Sequence, residues 1–241
     1  IDMSNDTICY ISGKRKKLEL NTLEHIDIEK RRVLEQGCYL ITGGLGGIGY
    51  IVTKWLLYRY HARVILTGRN MNEEKKKRLA KLKEISPYVT YYVADVCDLA
   101  QMRQVVNEAK EVFGKINGVF HLAGVGGQGN ILTNDLIEYR NRIAPKIQGT
   151  LILNEIFKED SLDFICYFSS TSAVLGDFGS CEYAVGNRFM TSYVQNNTSN
   201  KNDLRKSIVI NWPLWENGGM TMGDDRQTQM YLSASGQRLL E

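Results

Sequence analysis

Between positions 38 and 49 the chain reads Cys-Tyr-Leu-Ile-Thr-Gly-Gly-Leu-Gly-Gly-Ile-Gly, and this segment restricts the possible folds more tightly than any other. The apolar run Tyr39-Leu40-Ile41 reads as a buried parallel strand. Thr42 and Gly43 break it. Gly43, Gly47 and Gly49 keep the spacing Gly-x-x-x-Gly-x-Gly. Glycine is needed where a backbone turns with positive φ, or where it must approach a pyrophosphate with no Cβ in the way. Residues 51–57 then begin a helix whose free N–H groups would face phosphates. An ordinary glycine-rich loop is the alternative. The position between a strand and a helix is what favours dinucleotide binding.

The rest of the chain continues the alternation. Strands are expected at 38–42, 63–67, 89–94, 117–122, 162–168 and 207–212. Helices are expected at 47–60, 72–84, 99–113, 132–157 and 181–195. This order predicts an α/β fold: a Rossmann-like, doubly wound parallel sheet with helices on both faces. Pro145 should kink or restart the fourth helix. The first 30 residues depart from the pattern. Ile8-Cys-Tyr-Ile-Ser-Gly-Lys-Arg-Lys-Lys-Leu passes from apolar through Ser-Gly to basic, which suits a small hairpin.

With 241 residues the chain can fill one large α/β core. No apolar run approaches the roughly 18 residues of a membrane span, and the start has no signal-peptide pattern. A net charge of +3 is too small to imply nucleic acid. Lys75-Lys-Lys-Arg78 follows Glu73-Glu74 and reads as a solvated helix face. Five cysteines without a Cys-x-x-Cys read as reduced thiols of a cytoplasmic protein. The three histidines do not cluster, so no metal site is expected. His121 ends an apolar strand and reads as a packed core residue.

Candidate chemistry lies in two places. Gly68-Arg69 ends the second core strand, where a dinucleotide fold faces the adenosine ribose. Arginine there, with no acidic residue until Glu73, argues for the 2′-phosphate of NADPH, although a surface arginine would look the same. Further on stand Lys146, Ser170, Tyr183 and Asn187. A phenol can give a proton to a carbonyl oxygen, a lysine ammonium can hold that phenol's pKa down, and a serine hydroxyl can bond the same oxygen. Tyr183 and Asn187 are four apart and share one helix face.

Taken together, these motifs resemble the ketoreductase domain of a bacterial modular polyketide synthase, within the short-chain dehydrogenase/reductase superfamily. The matching pieces are Thr42-Gly43-Gly44-Leu45-Gly46-Gly47-Ile48-Gly49, Thr67-Gly68-Arg69, Ala94-Asp95-Val96 and His121-Leu122-Ala123-Gly124-Val125. They continue with Ala144-Pro145-Lys146-Ile147-Gln148-Gly149-Thr150, Phe168-Ser169-Ser170, Tyr183-Ala184-Val185-Gly186-Asn187 and Asn211-Trp212-Pro213-Leu214-Trp215. Ordinary superfamily members carry Tyr-x-x-x-Lys. Here Asn187 takes the lysine's place and the lysine moves to Lys146, which is the mark of the complex ketoreductases. The Asn-Trp-Pro-Leu-Trp-Glu-Asn-Gly-Gly-Met stretch also resembles synthases served by separate acyltransferases.

The resemblance implies the following. Residues 1–30 are the tail of a truncated structural subdomain. Residues 31–241 are the NADPH-binding catalytic subdomain, cut short before a final helix and strand, so the chain is a piece of a larger polypeptide. Cofactor contacts fall on Thr42, Gly43, Leu45, Gly47, Ile48, Gly49, Arg69, Asp95, Val96, Ala123, Gly124 and Pro213. Tyr183 donates the proton, Lys146 tunes it, Ser170 aligns the substrate oxygen and Asn187 positions Lys146 or a relay water. Ser169 competes for the serine role. Met220 and Met222 belong either to a lid or to local packing.

The partners implied are an acyl carrier protein, bearing its ketoacyl chain on a phosphopantetheine arm, and neighbouring synthase domains. For the hydroxyl configuration, Gly126-Gly127-Gln128 stands where one class has Leu-Asp-Asp, and Leu175 stands where the second has tryptophan. The lack of Leu-Asp-Asp leans to the second class, and the lack of its tryptophan removes most of that lean. A catalytically silent NADP-binding scaffold or epimerase domain is an alternative, but such domains usually lose a tetrad residue. A freestanding reductase of fatty-acid metabolism is the other. It would normally carry Tyr-x-x-x-Lys.

Overall fold

The computed structural model describes residues 8–11, 13–17, 33–126, 135–177, 180–197, 206–216, 218 and 225–240. Gly127, Gln128, Met220 and Met222 lie outside them. The chain divides into two compact units, Ile1–Arg31 and Arg32–Glu241. In the first, β1 (Ile8–Ile11) pairs antiparallel with β2 (Lys14–Lys17) around Gly13, whose φ of 74° suits a tight turn. The four basic residues of β2 are exposed.

The second unit is a six-stranded, wholly parallel sheet. Its strands are β3 (Cys38–Thr42), β4 (Arg63–Gly68), β5 (Val89–Val93), β6 (Gly118–His121), β7 (Phe164–Ser170) and β8 (Lys206–Trp212), in spatial order β5-β4-β3-β6-β7-β8. This is the doubly wound α/β fold expected from the alternation. Strand order reverses between β3 and β6, and ligands of such sheets bind beside the strand ends at that reversal.

Side-chain alternation splits the core into two layers. Leu40, Ile65, Val119 and Ile165 face α3 (Leu99–Phe113) and α4 (Leu136–Ile156), where they meet Met102, Val105 and Leu153. Tyr39, Ile41, Leu66 and Phe120 face the opposite way, toward Leu56 of α1 (Gly47–Tyr60) and Leu82 of α2 (Glu73–Ile85). Each such buried side chain stabilises the fold by about 1.5–3 kcal/mol. Both faces are covered, which is why the strands read as continuous apolar runs.

Local chemistry sets the helix ends. Asn72 caps α2 by accepting from the Lys75 N–H, and Asp98 caps α3 by accepting from Ala100 and Gln101. Helix α4 does not restart at Pro145 but runs on as one element. The proline removes a single donor, and the buried residues from Pro145 to Asn154 hold the helix in place. Two helices were not marked in the sequence. The four-residue α5 (Ser172–Leu175) is too short to show a period, and α7 (Asp225–Ser235) follows the last strand. Between α5 and α7 lies α6 (Cys181–Asn197). Beyond α7, Leu240 bonds back to Leu214 and Glu216. No helix among the described residues is long and apolar enough to cross a membrane.

Candidate active site

A cleft of about 410 Å³ opens at the strand-order reversal. Its floor is the turn from β3 into α1. Gly43 adopts a φ of 71°, and a Cβ on Gly49 would stand 2.2 Å from the Gly43 carbonyl oxygen. A side chain would be strained at Gly43 and would collide with backbone at Gly49. No side chain caps α1, so its first N–H groups remain available to an anion. A turn that needs glycine at Gly43 and Gly49, at an uncapped helix start, fits a dinucleotide pyrophosphate.

Gly43, Leu45, Gly47, Ile48 and Gly49 line the cleft, as do Arg69, Asp95, Val96, Ala123 and Gly124. Two predicted cofactor residues do not. Pro213 is absent from the lining, where its neighbour Trp212 stands instead. Thr42 is fully buried beneath the floor, and its hydroxyl is paired with His121 Nδ1 at 2.8 Å.

Lys75 is a cleft residue that sequence reasoning assigned to a solvated face. The Asn72 cap starts α2 so that Lys75 turns back over the end of β4. There its Nζ donates to the Asn70 carbonyl at 3.2 Å and to the Asn70 Oδ1 at 2.5 Å. The signal that could have revealed it is the Asn-Glu-Glu cap three residues after Arg69, which fixes where the helix begins. Arg69, Asn70 and Lys75 line one end of the cleft.

Lys146 and Tyr183 line the same cleft. Lys146 is buried, and its Nζ donates to the Phe168 carbonyl at 2.7 Å. Burial lowers its pKa to about 8. Its stem packs against two glycines: a Cβ on Gly124 would sit 2.8 Å from Lys146 Cε, and one on Gly186 would sit 3.1 Å from Lys146 Cβ. For the Tyr183 phenol, burial raises the pKa, and hydrogen bonding by Ser170 and then Asn187 pulls it partly back. The expectation that Lys146 holds this phenol down is not met in this arrangement, because desolvation dominates and the ammonium is turned to Phe168.

Asn187 is fully buried. Its Nδ2 donates to the Tyr183 carbonyl at 2.9 Å, while its Oδ1 has no partner. The expected link from Asn187 to Lys146 is therefore not made here. Ser169 and Ser170 point to opposite sides of β7. Although Ser169 borders the cleft, its hydroxyl donates to the Asn187 carbonyl at 3.2 Å. Ser170 is the one that bonds the phenol, and its Oγ accepts from the Ser172 N–H at 3.2 Å.

Beside these groups Arg142 of α4 pairs with Glu182 of α6 at 3.1 Å, with the glutamate side chain wholly buried. His121 is fully buried, and desolvation followed by the Lys146 charge lowers its pKa to about 3, so the ring is neutral. Among the described residues no group of His, Cys, Asp and Glu could hold a metal ion. The arrangement offers a protonated phenol, a flanking hydroxyl and a buried cation at the end of a dinucleotide-shaped floor.

Comparison with known proteins adds the following. The family model described as KR domain matches residues 37–217. The polyketide synthase PksM of Bacillus subtilis (strain 168) is 45% identical over 243 residues, covering 99% of this chain and 6% of that synthase. The polyketide synthase ThaG of Burkholderia thailandensis is 37% identical over 211 residues, covering 85% of this chain and 4% of that synthase. Among solved structures, a ketoreductase domain from the bacillaene assembly line superimposes with a TM-score of 0.82 at 33% identity. That match covers 97% of this chain and 56% of the other.

Proposed function

The chain belongs to the KR domain family, the ketoreductases of bacterial modular polyketide synthases, and from that premise we propose that it reduces the ketone of a carrier-tethered ketoacyl thioester to a hydroxyl with NADPH. One observation carries this reading: the Gly43 and Gly49 positions of the glycine turn and the Tyr183 side chain line a single cleft.

When bound, NADPH supplies the hydride. Gly43 to Gly49 and the start of α1 hold its pyrophosphate. Arg69 and Lys75 supply positive charge for the 2′-phosphate. Tyr183 donates its proton to the oxygen of the ketone, and its raised pKa keeps that proton on the phenol at neutral pH. Ser170 hydrogen-bonds the same oxygen and fixes its direction. Lys146, whose ammonium bonds the Phe168 carbonyl in this arrangement, would have to turn toward the phenol to stabilise the charge left behind. Asn187 holds the Tyr183 backbone through its Nδ2 and keeps Oδ1 available to a water that returns the proton.

The substrate partner is an acyl carrier protein presenting its acyl chain on phosphopantetheine, with neighbouring synthase domains supplying and consuming that chain. The test is NADPH oxidation followed at 340 nm with a defined β-ketoacyl pantetheine thioester, with the alcohol product identified by mass. Absence of alcohol from a folded, NADPH-bound protein would reject the reading.

A further inference from the structure

His121 takes no part in the mechanism above, yet both of its ring nitrogens are engaged beside the cleft. Its Nε2 lies 3.0 Å from the Pro145 carbonyl oxygen, which can only accept. The proton is therefore on Nε2, and Nδ1 accepts from the Thr42 hydroxyl at 2.8 Å. Thr42 Oγ1 in turn accepts from the Ala123 N–H at 3.2 Å. Ala123 and Gly124 border the cofactor cleft, and Pro145 directly precedes Lys146. A continuous polar chain thus runs from the cleft wall, through the ends of β3 and β6, to the backbone that carries the lysine.

The packing is built around the same ring. A Cβ on Gly149, one turn past Pro145, would stand 3.2 Å from His121 Cε1, so α4 lies directly on the imidazole. Tyr167 of β7 meets the ring edge-on at 5.9 Å. Lys146 on α4 is the charged group that acts on it. A neutral ring of one tautomer, with both nitrogens used and no room to turn, sets a fixed spacing between its two partners.

We propose that His121 is a positioning residue that holds Pro145, and with it Lys146, in register with the cofactor floor through Thr42. It acts through Lys146 and touches neither substrate nor cofactor. The proposal rests on the ketoreductase reading for its kinetic consequence but not for its geometry.

Two measurements on the full chain test it. With nitrogen-15 histidine, and only three histidines in the sequence, His121 should show the Nε2–H tautomer and no titration between pH 5 and 9. An Nδ1–H tautomer, or a ring that titrates in that range, overturns the proposal. This spectrum needs neither turnover nor a variant, so it stands even if the ketoreductase reading fails.

The second measurement is kinetic. His121→Phe keeps a ring and removes both bonds. It should lower kcat by about 10-fold or more, as expected for a misplaced catalytic group. The KM for the ketone should hold and the basic limb of the pH profile should move. His121→Gln, which can again donate and accept, should restore most of kcat. A folded His121→Phe protein with the parent's kcat and pH profile overturns the proposal. Should that variant not fold, Thr42→Val breaks the same chain at its other link and is read by the same criteria.

Discussion

The two ends of the cleft are built by opposite means. At Gly43 and Gly49 the chain works by leaving the side chain out, and a methyl on Gly49 would meet a carbonyl at 2.2 Å. At Lys146, Tyr183 and Asn187 it works by burying polar side chains whose bonds run largely to backbone carbonyls. The first end is contiguous in sequence and fails by collision. The second is collected from α4, β7 and α6 and fails by loss of register. Shape dictates the residues of one end, and partnership those of the other.

The largest expected effect separates chemistry from structure at the polar end. Tyr183→Phe keeps the ring and removes the proton donor, so single-turnover NADPH oxidation should fall by about 10²–10⁴ with melting nearly unchanged. A folded variant reducing the tethered ketone at the parent rate would remove Tyr183 from the mechanism.

Next comes the shape-driven end. Gly49→Ala forces the Gly43 carbonyl to move, with strain of about 1–3 kcal/mol, and should weaken NADPH binding by roughly 10- to 100-fold. Titration of cofactor fluorescence reads this directly. An affinity within about twofold of the parent's would show that the turn yields to a methyl group.

A third comparison lies within the cofactor end. Arg69→Ala should cost NADPH about 1.5–3 kcal/mol and leave NADH almost untouched. Lys75→Ala should act in the same direction by about 1 kcal/mol or less, because its Nζ already bonds Asn70. Calorimetry with 2′,5′-ADP against ADP tests both. Equal losses for the two nucleotides would reassign either residue to the fold.

A separate test reads the effect of pH on stability. A histidine in the unfolded chain titrates near 6.5, and His121 in the fold near 3. Between those values the unfolded chain binds the extra proton, so stability falls as pH drops from about 6.5 toward 3. Urea midpoints across that window should show the slope, and His121→Phe should flatten it. A parent protein with equal midpoints at both ends would contradict the buried neutral ring.

What was legible in the sequence follows the same division. The strand at 38–42 and the glycine turn declare themselves, because backbone sterics act within a few residues. All six core strands could be placed, since a sheet covered on both faces leaves an apolar run wherever a strand lies. Lys146 had no local signal of its own, and only the resemblance of its surrounding motif singled it out. Lys75 was misread because a run of basic residues looks solvated until the Asn72 cap fixes the rotation of α2. His121 was rightly placed in the core, but no pattern in one chain tells that its ring bridges Thr42 and Pro145, residues 79 positions before it and 24 after it.

The ion pair between Arg142 and Glu182 bears on how such domains can be recombined. Arg142 lies one helical turn before Lys146, and Glu182 directly precedes Tyr183. A chimera that replaces residues 181–197 without 136–156 keeps this pair only where the incoming segment carries an acid at position 182. Breaking a pair of that kind costs about 3–5 kcal/mol, a large share of a domain's stability. A graft of this region is expected to hold best when both helices move together.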